Sequence, residues 1–214
     1  MQRKIYYLAL NYILKILWHE FSCVFYINQL LMNAINDHYL VPEQMEGTGK
    51  NLQSYVTALT VEDAEDMFVE AKNRMLDINN WKKENSFFSS FVLTDAHGKE
   101  VHRHAHAGDF IRIANNSGNS LYNWIHIDAI EYDDYPDINT ETIAIRIHPS
   151  KEPHIKDEEE AYLINSAVSS TMVIERLDRR LTSLYHGRNE IIGGTGNQTD
   201  EAWQSLINSF LMFE

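Results

Sequence analysis

Between Ser86 and His186 the chain falls into short stretches in which apolar residues return at every second position, and that period constrains the fold more than any other feature of the chain. The pattern is cleanest over 140–148, where Ile143, Ile145 and Ile147 alternate with Ala144, Arg146 and His148. A period of two places alternate side chains on opposite faces of a strand. The same reading predicts strands over 87–94, 109–113, 121–132, 171–177 and 181–186. The first is closed by Asp95-Ala96-His97-Gly98. In the strand over 121–132, Ile125, Ile127 and Ala129 are expected on one face. Asp178-Arg179-Arg180 forms a hairpin tip without glycine, which leaves its turn type open.

The period lengthens on either side of this stretch. Thr60 and Asp63 read as a capped helix start, followed by Ala64, Met67, Phe68, Ala71, Met75 and Ile78 at helical spacing. Asn79-Asn80 ends that helix, and a short strand over 55–59 precedes it. A second helix is expected from about Asp200, with Trp203, Leu206, Ile207, Phe210 and Leu211 forming one apolar stripe. An antiparallel sheet with one apolar face needs a cover, and these two helices supply it. The expected class is α+β, a curved antiparallel sheet of six to seven strands packed against an N-terminal and a C-terminal helix.

That order over 55–214 resembles the helix-grip fold of the START and Bet v 1-like superfamily, in which a curved sheet wraps a long C-terminal helix around a cavity. The resemblance implies a small apolar ligand held between the sheet and the terminal helix. Separately, Leu76-Asp77-Ile78-Asn79-Asn80-Trp81 and His186-Gly187-Arg188-Asn189-Glu190 resemble segments of a family of uncharacterised bacterial single-domain proteins, a likeness that supplies no activity.

Charge separates two unlike parts. The chain holds 18 Lys and Arg against 31 Asp and Glu, a formal net charge of −13. Residues 1–44 are neutral, with Arg3, Lys4 and Lys15 balanced by Glu20, Asp37 and Glu43, so residues 45–214 carry the whole excess. The first part is crowded with large apolar residues. It reads as an apolar N-terminal extension or leader before a single α+β domain over 45–214. A leader upstream of Met45, a membrane-associating helix and a secretory signal all stay open for it, although no small-residue cleavage site follows and Asn11, Lys15, His19 and Glu20 break any span. Membrane contact is therefore expected only through residues 1–44, and a cytoplasmic location is the expectation. Strong acidity argues against nucleic-acid binding, which needs clustered Lys and Arg. A single cysteine, Cys23, excludes an intramolecular disulfide framework.

The densest chemical feature is Val101-His102-Arg103-His104-Ala105-His106. In an extended stretch His102, His104 and His106 share a face and could offer imidazole nitrogens to a metal, with Asp95, Glu100 or Asp109 completing the set. Between Gly98 and Gly108 the same run also reads as an exposed hairpin loop with adventitious affinity. His126 and His148 are read as structural histidines on the side of Trp124 and Arg146. Arg188 could grip an anionic head group or simply pair with an acid. Trp124, Arg146, Arg188, Trp203 and Phe210 are the candidate ligand-binding residues. Gly193-Gly194-Thr195-Gly196 lacks the Gly-Lys-Ser/Thr of a phosphate loop and reads as a connector. The Asn115-Asn116-Ser117 and Asn197-Gln198-Thr199 matches to the glycosylation pattern are read as chance matches, with nothing else arguing for export, and the Asp157–Glu160 run as a solvated loop.

No cofactor is called for, and whether the chain catalyses anything stays open. Bulky residues on both faces of 121–132 fit a sheet covered on both sides or a homo-oligomer. Three functions compete: binding of a small apolar molecule, a noncatalytic protein-interaction module, and a metal-dependent enzyme using His102, His104 and His106.

Overall fold

The computed structural model describes residues 40–81, 88–115, 123–153, 168–190 and 196–213, all within one compact unit, Leu40–Glu214. Cys23 and the rest of 1–39, Asn116-Ser117, the acidic run at 157–160 and Gly193 to Thr195 lie outside the described residues. The elements run β1 (Thr48–Thr57), α1 (Val61–Leu76), a 3-10 turn (Ile78–Asn80), β2 (Phe88–Thr94), β3 (Phe110–Asn115), β4 (Asn123–Tyr135), β5 (Thr140–Ser150), β6 (Ser169–Leu177), β7 (Arg180–Glu190) and α2 (Gly196–Phe210). The strands join in the order β1-β7-β6-β5-β4-β3-β2, with every neighbour antiparallel. The element order is that of a helix-grip fold, with one antiparallel sheet, a helix after its first strand and a second helix after its last.

Local chemistry explains the helix boundaries. Thr60 Oγ1 accepts from the Asp63 amide at 3.0 Å, and Asp63 Oδ2 accepts from the Thr60 amide at 3.1 Å, which satisfies two orphan donors at the start of α1. Ala64, Phe68, Ala71 and Met75 then bury one stripe of the helix. α2 begins at Gly196, four residues before the expected start.

The two helices cover one face of the sheet. Ile111, Ile127, Ile143, Ile145, Ile147, Met172, Ile174, Leu181 and Tyr185 meet Phe68 and Met75 from α1 and Trp203, Leu206, Ile207 and Phe210 from α2. Full burial of one such side chain is worth about 1.5–3 kcal/mol, so this layer is the main cohesive term.

One expectation fails within β4. Ile127 enters the core, but Ala129 packs on the opposite face with Leu40, Ala144, Val173 and Leu184. The register to β5 shifts between Ile127 and Ala129, so Asp128 is an extra residue, and the bulge breaks the alternation. The glycine-free hairpin between β6 and β7 turns by placing Asp178 at φ 50°, a left-handed conformation that Asp tolerates. On the N-terminal side, Leu40 is buried and its carbonyl accepts from Thr171 Oγ1 at 3.0 Å. The Met45 and Glu46 amides donate to Asn189 Oδ1 at 2.7 and 2.9 Å. Among the described residues no helix is long and apolar enough to cross a membrane.

Candidate functional site

β2 is an edge strand, and an edge leaves backbone donors and acceptors without a neighbouring strand. Here the turn after α1 and the loop after β2 supply the partners. Asn79 Oδ1 accepts from the Leu93 amide at 2.8 Å, while Asn79 Nδ2 donates to the Val101 carbonyl at 2.7 Å. The Val101 amide donates to the Leu93 carbonyl at 3.0 Å. The Ala105 amide donates to the Leu76 carbonyl at 2.9 Å, which satisfies one of the open carbonyls at the end of α1.

The histidine-rich loop is held from its other side as well. Arg103 Nη1 and Nη2 donate to the two carboxylate oxygens of Asp109 at 2.6 and 2.9 Å, and the His106 amide donates to Asp109 Oδ2 at 2.8 Å. Asp109 is buried, and its hydrogen bonds raise the Arg103 pKa further above the ordinary guanidinium value. The loop is thus tied to the turn and the end of α1 through Val101 and Ala105, and to Asp109 through Arg103.

Between these parts lies an open cleft of about 510 Å³, lined by Asp77, Asn79 and Asn80 of the turn, Phe91 and Val92 of β2, and Glu100, His102, Arg103 and His104 of the loop. A smaller pocket of about 190 Å³ shares Asp77 and Asn80 and adds Arg74, Trp81, Ser209 and Phe210. Asn80 Nδ2 donates to Asp77 Oδ2 at 2.8 Å and sets both side chains at this shared rim. Trp81 stands edge-on to Phe91 at 5.2 Å, lies 5.9 Å from Phe210, and donates its indole N–H to the Met75 carbonyl at 3.1 Å. These aromatics separate the two depressions from the core. Glu100 Oε1 approaches His102 Nε2 at 3.4 Å, and Glu100 Oε2 lies 3.8 Å from Arg112 Nη2.

The residues singled out in the sequence are spread over several places. His102 and His104 line the cleft and are exposed, as is His106. Trp203 stacks on Tyr185 with ring centroids 5.1 Å apart and planes 19° apart, and Phe210 is 1% exposed. Arg188 is half-buried on β7 and donates to the Lys50 and Gly187 carbonyls and to Asn51 Oδ1, so its described hydrogen bonds go to uncharged groups. Desolvation alone lowers its pKa. Trp124 and Arg146 lie on the face of the sheet away from the helices, where the Arg112 guanidinium sits 6.0 Å from the Trp124 ring and Arg146 Nε stands 3.5 Å from Asp128 Oδ2.

Between the sheet and α2 several described side chains are fully buried, while a depression of about 420 Å³ where α2 meets β1 is lined by Leu52, Asp200, Glu201, Gln204, Ser205 and Asn208. Tyr185, Ile145, Ile147, Met172, Ile174 and Ile207 are each at most 2% exposed.

Asp77, Asn79, Asn80 and Asp128 had no site role in the sequence reading. The signals available were an Asn pair following an amphipathic helix and a His-x-Asp spacing within a strand.

No protein-family model and no curated protein matches the chain. Solved structures do match it. Ara h 8.0201 is 8% identical, covering 77% of this chain and 96% of that one, with a TM-score of 0.36. A protein from Arthrobacter aurescens is 12% identical, covering 80% and 86%, with a TM-score of 0.39. The major latex-like protein 151 from Panax ginseng is 12% identical, covering 78% and 100%, with a TM-score of 0.34.

Proposed function

We propose that the domain binds a small polar molecule in the cleft between the Asp77–Asn80 turn, the β2 edge and the loop bearing His102 and His104. The cleft carries this reading: its volume of about 510 Å³ falls within the span of small-molecule sites, and its walls are fixed by backbone and side-chain hydrogen bonds. The almost wholly buried Phe91 and the half-buried Val92 line one side of the cleft, while Asp77, Asn80, Glu100, His102 and His104 offer donors and acceptors around it. A ligand with a ring and several polar groups suits that lining better than a hydrocarbon does. In the space between the sheet and α2, where the helix-grip order invites an apolar ligand, Trp203 stacks on Tyr185.

The test is a thermal-shift and native mass spectrometry screen of the full chain against small polar ring compounds. Binders found this way should lose at least tenfold in affinity in Asn80→Ala and in His104→Ala, about what a lost hydrogen bond to a charged group costs. Binders that ignore both changes and respond to Trp203→Phe would overturn the proposal in favour of the interior.

A further inference from the structure

On the sheet face away from the helices, β4 and β5 bring together three side chains that are separate in sequence. We infer that His126, Asp128 and His148 form a binding site for a divalent first-row transition metal ion such as zinc or cobalt. His126 and His148 are direct register partners across the two strands, and the β4 bulge inserts Asp128 beside them. The Nδ1 atoms of His126 and His148 lie 2.9 and 2.7 Å from Asp128 Oδ1. Donor atoms from all three residues fall within 4.8 Å of one another, the group among the described residues with that property.

The spacing suits an ion. Ligands at about 2.1 Å from a metal stand roughly 3.0 Å apart at octahedral and roughly 3.4 Å apart at tetrahedral angles, so the two His–Asp separations need to open by only roughly 0.1–0.7 Å. Two imidazoles and one carboxylate on one side of an ion form a facial set that leaves positions open for water or a further ligand. The side chains are 26%, 21% and 31% exposed, so water can complete the shell. Arg146 Nε lies 3.5 Å from the other oxygen, Asp128 Oδ2, which leaves Oδ1 to the histidines and fixes the carboxylate as an outer-shell partner does. The Phe110 ring stands edge-on to His126 at 4.8 Å and limits its rotation. Arg146 opposes the ion's charge locally, while the net charge of −13 favours cation approach.

This site is independent of the cleft, and neither proposal depends on the other. Titration of the full chain with Co²⁺, followed by visible absorption, reads the ligand set directly. One equivalent should bind with a spectrum that Zn²⁺ abolishes. His148→Gln and Asp128→Asn, with folding checked by circular dichroism, should each weaken binding more than tenfold, at least the cost of losing an outer-shell partner. The combined His102→Ala, His104→Ala and His106→Ala variant should keep it. No uptake of Co²⁺ by the natural chain, or uptake lost in the loop variant and kept in His148→Gln, would overturn the site and leave the trio as an ion-pair cluster.

Discussion

Arg176 is 2% exposed, and neighbouring acceptors surround its guanidinium. Nε donates to Glu141 Oε2 at 2.8 Å, Nη1 donates to the Asn139 carbonyl at 3.2 Å, and Nη2 lies 3.7 Å from Glu65 Oε1. Tyr132 donates to Glu141 Oε1 at 2.9 Å, and burial together with that carboxylate pushes the phenol up to about 12. Removing one partner of a buried pair strands the other charge, so Arg176→Met should cost about 3–5 kcal/mol in urea unfolding. Adding Glu141→Leu should recover most of that loss. Glu175 is the opposite case: 4% exposed, with Oε2 lacking a hydrogen-bond partner among the described residues. Burial raises its pKa, with Arg180 opposing. A carboxyl with a raised folded pKa favours folding while it is protonated, and that contribution is lost as pH rises through the folded pKa. Glu175→Gln should therefore raise Tm at about pH 8, and the gap should close towards about pH 4, near the ordinary Glu value. At this scale the sequence was least informative. His126 and His148 were recognisable as strand histidines on the side of Trp124 and Arg146, but their meeting at Asp128 depends on a bulge and an interstrand register. Asn79 likewise shows nothing in sequence of the two backbone groups it joins.

The elements themselves were largely legible. Ile143, Ile145 and Ile147 point to the core as their period requires, and Thr60 caps α1 as its spacing with Asp63 implies. The misses are polar. β1 extends back to Thr48 through the polar Lys50, Asn51 and Gln53, which alternate in burial but not in polarity, because pairing with β7 rather than local propensity holds it. The first turn of α2, Gly196 to Thr199, also lacks helix-favouring residues. α2 binds the sheet through Trp203 on Tyr185 and through the ion pair of Asp200 with Lys50 of β1. Trp203→Ala should cost about 3–5 kcal/mol, because a large cavity opens beneath the helix. A lower denaturation midpoint with an unchanged m-value checks this; a change below about 1 kcal/mol would mean that the stack is not part of the core.

At the scale of the whole domain, pairing of the first strand with the last fixes both edges of the sheet. One edge, β1, lies beside α2; the other, β2, ends at the turn and loop that build the cleft. The helix-grip order, visible in sequence, points attention to the interior, whereas the cleft of about 510 Å³ lies at the β2 edge. Volume of this kind is invisible to periodicity, since it depends on how Trp81, Phe91 and Phe210 close the core behind it. The most direct test is amide chemical-shift mapping of the ¹⁵N-labelled full chain with the tightest compound from the polar ring screen. Shifts concentrated at Asn79, Asn80, Val92, His102 and His104 are predicted. Shifts concentrated at Met172, Tyr185, Trp203 and Leu206 would place the ligand between sheet and helix and contradict the account.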